Sequence, residues 1–125
     1  MTRDALIFYS EFDDPAAWKK TLTAELPDLD FHTEPDKVDP AVVHYALAWK
    51  PPAGFFARFP NLKLVTNLGA GVDSLVGRDD LPDVPISRLS DTGMVSLMTS
   101  YVLFSVIRYA RDIHVFERAQ RRGEW

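Results

Sequence analysis

Apolar runs of strand length alternate with helical or turn segments along this 125-residue chain. Ala5-Leu6-Ile7-Phe8-Tyr9 and the stretch from Val42 to Trp49 are almost continuously apolar. That is the pattern of parallel strands buried on both faces. Leu62 to Thr66 predicts another strand, and Ile86-Ser87-Arg88-Leu89 a short one. Leu29-Asp30-Phe31-His32-Thr33 alternates, which predicts a strand nearer a sheet edge. Asp14-Pro15 supplies an N-cap carboxylate and a first-turn proline. The helix it opens carries Trp18, Leu22 and Leu26 on one face and stops at Pro27. Residues 53–59 read as a short helix or turn, and Asp73 to Val76 as a helical turn. Strand–helix alternation predicts an α/β fold with a parallel sheet of about five strands and flanking helices.

From Met94 to about Arg121 there is neither proline nor glycine, which predicts one long helix. Val95, Met98, Val102, Val106, Tyr109, Ile113 and Phe116 form a stripe at steps of three and four. The stripe's period is close to that of a coiled-coil seam. Leu97, Tyr101, Leu103, Phe104 and Ile107 make the first half apolar nearly all round. A helix of roughly 27 residues is about 40 Å long. A globule of this size is roughly 28–35 Å across, so the helix is expected to project.

Charge and composition narrow the function. The net charge is −4, which argues against a nucleic-acid surface. Cysteine is absent, so thiolate zinc sites, disulfides and a cysteine nucleophile are excluded, in keeping with a cytoplasmic protein. The N-terminus shows no signal-peptide pattern, and no uninterrupted apolar run approaches ~18 residues, so no membrane partner is expected. His32, His44 and His114 are too scattered for a metal site. The arginines from Arg108 to Arg122 are offset by Asp112, Glu117 and Glu124 and read as a solvated helix face.

Thr66-Asn67-Leu68-Gly69-Ala70-Gly71-Val72-Asp73 holds the chemistry. A strand running into Gly-x-Gly presents bare N–H groups, an anion cradle. Three readings are open: a cofactor phosphate, a small carboxylate, or glycines kept only for a tight turn. Against a dinucleotide fingerprint stand Ser74 in place of the third glycine, the strand's late position, and a proline-marked loop where a crossover helix belongs. Trp49, at a strand end beside Lys50, is either a rim filler or a ligand contact.

Tyr45-Ala46-Leu47-Ala48-Trp49-Lys50-Pro51-Pro52, Leu68-Gly69-Ala70-Gly71-Val72-Asp73 and Arg88-Leu89-Ser90-Asp91-Thr92-Gly93-Met94 occur in an order and spacing that resembles D-isomer-specific 2-hydroxyacid dehydrogenases, in particular the glyoxylate/hydroxypyruvate reductase A branch. The resemblance implies a flavodoxin-like substrate-binding domain over residues 1–93, an interdomain or dimerisation helix over 94–122, and a Rossmann domain absent from this chain. It implies that main-chain N–H groups of Ala70 and Gly71 hold the substrate carboxylate and that Trp49 lines the cleft. It places Met98 near the nicotinamide of NADP or NAD, with Ser100 where many relatives carry glutamate. No residue here matches the family's catalytic arginine, glutamate or histidine.

The expectation is therefore a substrate domain of a 2-oxo acid reductase, cut before its cofactor domain. It should be inactive alone, hold no cofactor tightly, and form a homodimer through its last helix. A non-enzymatic dimerising protein is the rival reading. A receiver-type signalling domain is a third, with Glu11, Asp13 and Asp14 near the place of its paired acids.

Overall fold

A computed structural model describes residues 4–125. The chain divides into two compact units, one ending at Ser90 and the other Asp91–Trp125. The first is a five-stranded parallel sheet of β1 (Ala5–Tyr9), β2 (Asp30–His32), β3 (Val43–Ala48), β4 (Leu64–Asn67) and β5 (Ile86–Arg88), ordered β2-β1-β3-β4-β5. That is the flavodoxin-like order, with its switch point between β1 and β3. The expected sheet and its edge strand β2 are both present.

Each face of the sheet is covered differently, and side-chain alternation sorts the residues. Phe8 and Leu47 point to the face covered by α1 (Pro15–Glu25), where they meet Phe31, Trp18 and Leu22. Asp14 caps α1 by accepting from the Ala16 N–H at 2.9 Å. Ile7, Ala46, Ala48 and Val65 point to the other face. Among the described residues of this unit, no α-helix covers that face. Phe55, Phe56 and Phe59, around a single 3-10 turn at Phe56–Arg58, pack there edge to face instead. The small Ala46 and Ala48 leave depth for these rings, so volumes across the layer are complementary. Burying one such phenylalanine is worth about 2–3 kcal/mol.

An internal clasp holds this aromatic turn. Arg78 donates to the carbonyls of Pro51 and Pro52 at 2.9 and 2.8 Å and to both Asp80 carboxylate oxygens at 2.7 Å. Its guanidinium lies over the Phe56 ring, and Asp80 accepts from the Phe56 N–H. The Arg78 hydrogen bond pulls the Asp80 carboxyl below its ordinary range, against the opposing effect of burial.

The second unit departs from expectation. The predicted single helix is two: α2 (Thr92–Ala110) and α3 (Ile113–Arg122). Asp112 sits between them with φ 51°, a left-handed conformation that aspartate tolerates better than most residues. Arg108 on α2 pairs with Glu117 on α3, nine positions on. In a straight helix nine positions turn through about 900°, onto opposite faces, so the pair exists only because the helix breaks. Tyr109 stacks near His114 at a ring-centroid distance of 5.1 Å. The stripe from Val95 to Phe116 is therefore not one seam; Ile113 and Phe116 belong to α3.

α2 begins at the Asp91 N-cap, which accepts from the Gly93 N–H at 2.8 Å. Its large apolar side chains are exposed on opposite sides: Val95, Met98, Val102 and Val106 on one, Leu97, Tyr101 and Phe104 on the other. By length and composition alone α2 is apolar enough to cross a membrane, although no uninterrupted apolar run in it approaches ~18 residues. The difference lies in Ser96, Thr99, Ser100 and Ser105, which interrupt the apolar run without adding charge. The hydroxyls of Thr99, Ser100 and Ser105 donate to carbonyls one turn back, so they cost the helix little polarity.

Candidate functional site

The carboxyl ends of β1, β3 and β4 lie side by side. Trp49 donates its backbone N–H to Tyr9 at 2.8 Å, and Leu68 donates to Ala48 at 3.0 Å. Ligands of open α/β sheets sit beyond this edge, near the switch point. Tyr9 and Trp49 flank that point, and the glycine loop is one strand further on.

No regular helix follows the loop. Val72 accepts from Leu75 and Val76, which makes a turn only. A dinucleotide pyrophosphate needs the N-terminus of a crossover helix behind its glycines. With Ser74 in place and that helix missing, the loop does not fit the cofactor.

Its geometry suits a smaller anion. Asn67, fully buried at the end of β4, donates its side-chain amide to the Gly69 carbonyl at 3.1 Å and the Gly71 carbonyl at 2.5 Å. Leu89 also donates to the Gly69 carbonyl, at 3.3 Å, and Arg88 donates to the Ala70 carbonyl at 3.2 Å. All three loop carbonyls are thus engaged. Among the described residues, the N–H groups of Ala70, Gly71 and Val72 meet no protein acceptor. Unpaired N–H groups of this kind are donors available to a small anion.

Trp49 forms one wall. A Cβ built on Gly69 would overlap the indole, lying 2.9 Å from Cη2 and 3.1 Å from Cε3. Positive φ among the glycines is confined to Gly54, Gly77 and Gly123. The glycine at 69 is therefore required by close approach of Trp49 rather than by a tight turn. At Gly71 a Cβ would make an ordinary contact, 3.4 Å from Asp73. Lys50 adopts φ 44° and places its ammonium 5.3 Å from the Trp49 ring centroid. Lys50 and Arg88 are cations beside the loop, and Asp73 is the anion that opposes them.

Trp49 and the loop that carries Ala70 and Gly71 follow neighbouring strands, with Gly69 against the Trp49 ring. Met98 lies on α2 in the second unit and is exposed. His32 and His44 face Asp30 and Asp4 across short ion-pair distances, with His44 at 2.6 Å from Asp4. Asn67 escaped the sequence reading. Its signal was an amide side chain ending a buried strand immediately before Gly-x-Gly, a position where a local bond to backbone is expected.

No protein-family model matches the chain. Curated relatives do. The chain is 37% identical to glyoxylate/hydroxypyruvate reductase A of Serratia proteamaculans, over 96% of this chain and 40% of the relative. It is 35% identical to the protein of the same name in Yersinia enterocolitica, over the same shares. It spans about 40% of the length of the curated relatives it matches. Among solved structures, a D-isomer specific 2-hydroxyacid dehydrogenase from Xanthobacter autotrophicus Py2, in complex with NADPH and MES, is 60% identical with a TM-score of 0.80, covering 98% of this chain and 41% of that one. A probable 2-hydroxyacid dehydrogenase from Rhizobium etli, in complex with NADP, HEPES and L(+)-tartaric acid, is 33% identical with a TM-score of 0.77, covering 97% of this chain and 39% of that one. In sequence and in fold, the chain is similar to D-isomer-specific 2-hydroxyacid dehydrogenases, and it spans about two-fifths of their length.

Proposed function

We propose that this chain is the substrate-binding domain of an NAD(P)H-dependent reductase of small 2-oxo acids such as glyoxylate or hydroxypyruvate. The N–H groups of Ala70 and Gly71 hold the substrate carboxylate, and the Trp49 indole walls the cleft. The observation that carries this is the loop itself: every carbonyl engaged, every N–H from Ala70 to Val72 left for a ligand. NAD(P)H would supply the hydride in a whole enzyme of this kind, and Met98 would stand near its nicotinamide there. Carbonyl reduction further needs a proton donor and a cation at the carbonyl oxygen; both belong to parts of the relatives that this chain does not match. Alone, these residues bind a carboxylate weakly, hold no dinucleotide tightly and reduce nothing.

Titrating ¹⁵N-labelled protein with glyoxylate tests the grip. The Ala70 and Gly71 amide resonances should move; a titration that leaves both unmoved overturns the reading. Adding NADPH and following its absorbance tests the rest, and measurable turnover would sink the claim of inactivity.

We further propose that α2 pairs with α2 of a second copy. A helix laid on one neighbour buries one side, and α2 is apolar on two opposite sides. A non-enzymatic dimerising role rests on the same observation. Solution mass decides it: a dimer is expected, and a monomer that binds no hydrophobic dye removes it.

A further inference from the structure

In a trans peptide unit the C=O of one residue and the N–H of the next point in opposite directions. Whatever fixes a carbonyl therefore aims the N–H that follows it. Asn67 holds the Gly69 carbonyl, which aims the Ala70 N–H, and the Gly71 carbonyl, which aims the Val72 N–H. Arg88 holds the Ala70 carbonyl, which aims the Gly71 N–H.

We propose that Asn67 is the positioning residue of the carboxylate grip, and that the Val72 N–H is a third donor beside those of Ala70 and Gly71. This rests on the carboxylate reading of the loop. Two facts favour it over simple packing. Asn67 is the one buried polar side chain of the core among the described residues, at 0% exposure. Its Oδ1 is buried without a hydrogen-bond partner. An apolar side chain of the same size would avoid that orphaned oxygen, which mutational series price well above a neutral substitution. The amide cannot be turned over to relieve it, because Oδ1 would then face two carbonyl oxygens. A local rule broken in the core, next to an open donor array, is the signature of a site.

Asn67→Leu keeps the bulk and removes the donors. Glyoxylate binding, followed by the Ala70, Gly71 and Val72 amide resonances, should weaken about tenfold, the scale of one lost hydrogen bond to a polar partner. The core amides of β1 and β3 should stay protected from hydrogen exchange, which checks that the sheet is intact. Asn67→Asp adds a readout that packing alone does not move. Its carboxylate repels both carbonyls, so binding is lost near neutrality. Once protonated it donates again, so binding returns as pH falls relative to the parent protein. Should Asn67→Leu fail to fold, the pH profile of Asn67→Asp decides. A parent protein whose Ala70 and Gly71 amides ignore glyoxylate overturns the carboxylate reading. A parent that binds, with Asn67→Leu binding equally well or Asn67→Asp showing no pH dependence of its own, overturns the role of Asn67 and leaves the grip intact.

Discussion

Gly69 packs under the face of Trp49 so closely that even a methyl group there would overlap the indole. The two residues sit on adjacent strand ends, tied by the Leu68 to Ala48 hydrogen bond. Gly69→Ala must push the ring out of place or bend the loop. We expect a loss of about 1–3 kcal/mol, typical of overpacking, together with a shift in tryptophan fluorescence and loss of glyoxylate response. Gly71→Ala is the contrast. Gly71 has no positive φ, and a Cβ there would make only an ordinary contact with Asp73. It should fold with stability within about 1 kcal/mol of the parent. Thermal melts of the two variants side by side check both expectations; equal melting temperatures would remove the steric account of Gly69.

The Arg78 clasp joins segments some 26 positions apart to the aromatic turn. Arg78→Ala strands the Asp80 carboxylate and frees two proline carbonyls. The Arg78 and Asp80 side chains are 17% and 15% exposed, so solvent rescues the stranded carboxylate only in part. The expected destabilisation is about 2–4 kcal/mol, measured by urea unfolding. Arg78→Lys keeps the charge but not the fork, and should recover less than half of the loss.

The same clasp sets an acid limit. Asp80 has its carboxyl held below the ordinary value of 3.8 by Arg78. A lowered folded-state pKa contributes stability that is complete above the unfolded value and is lost as pH falls through the folded one. The stability gap between parent and Asp80→Asn should therefore be flat from neutrality to about pH 5 and close below about pH 4. A gap that persists unchanged into stronger acid would show that the pair contributes nothing through charge.

The break between α2 and α3 has its own test. Asp112 holds a left-handed backbone, and the Arg108–Glu117 pair spans the bend. Asp112→Gly should stabilise the break by up to about 1 kcal/mol, and Asp112→Val should oppose it by about 1–2 kcal/mol. Asp112→Ala combined with Glu117→Ala should let one helix run through, visible as continuous helical ¹³C shifts from 94 to 121. Persistence of the break in that double variant would place its cause elsewhere.

The strands were legible because burial on both faces writes itself as unbroken apolar runs, and Asp14-Pro15 announced its helix by capping chemistry alone. Gly-x-Gly after a strand marked the loop as a candidate anion cradle, and the family resemblance picked out Ala70, Gly71 and Trp49. What escaped was long-range or conformational. Arg78 to Pro51 is a pairing across 27 positions, with no local pattern to mark it. The bend at Asp112 uses neither glycine nor proline, and its ion pair exists only once the bend exists. Gly69 read as a turn residue because the indole that forbids a side chain there lies twenty residues upstream. Asn67 is polar in a core strand, and only its bonds reveal why.

The donors at this site belong to the main chain. Replacing Ala70 or Val72 by any residue but proline leaves the N–H in place, so a side-chain scan across the loop would pass over the very groups we propose to hold the ligand. The sensitivity instead surfaces one layer down, at Trp49, Asn67 and Arg88, whose side chains shape a peptide surface they do not themselves supply. A mutational map of this protein would then show a ring of costly positions around a blank centre, and the blank would mark the anion.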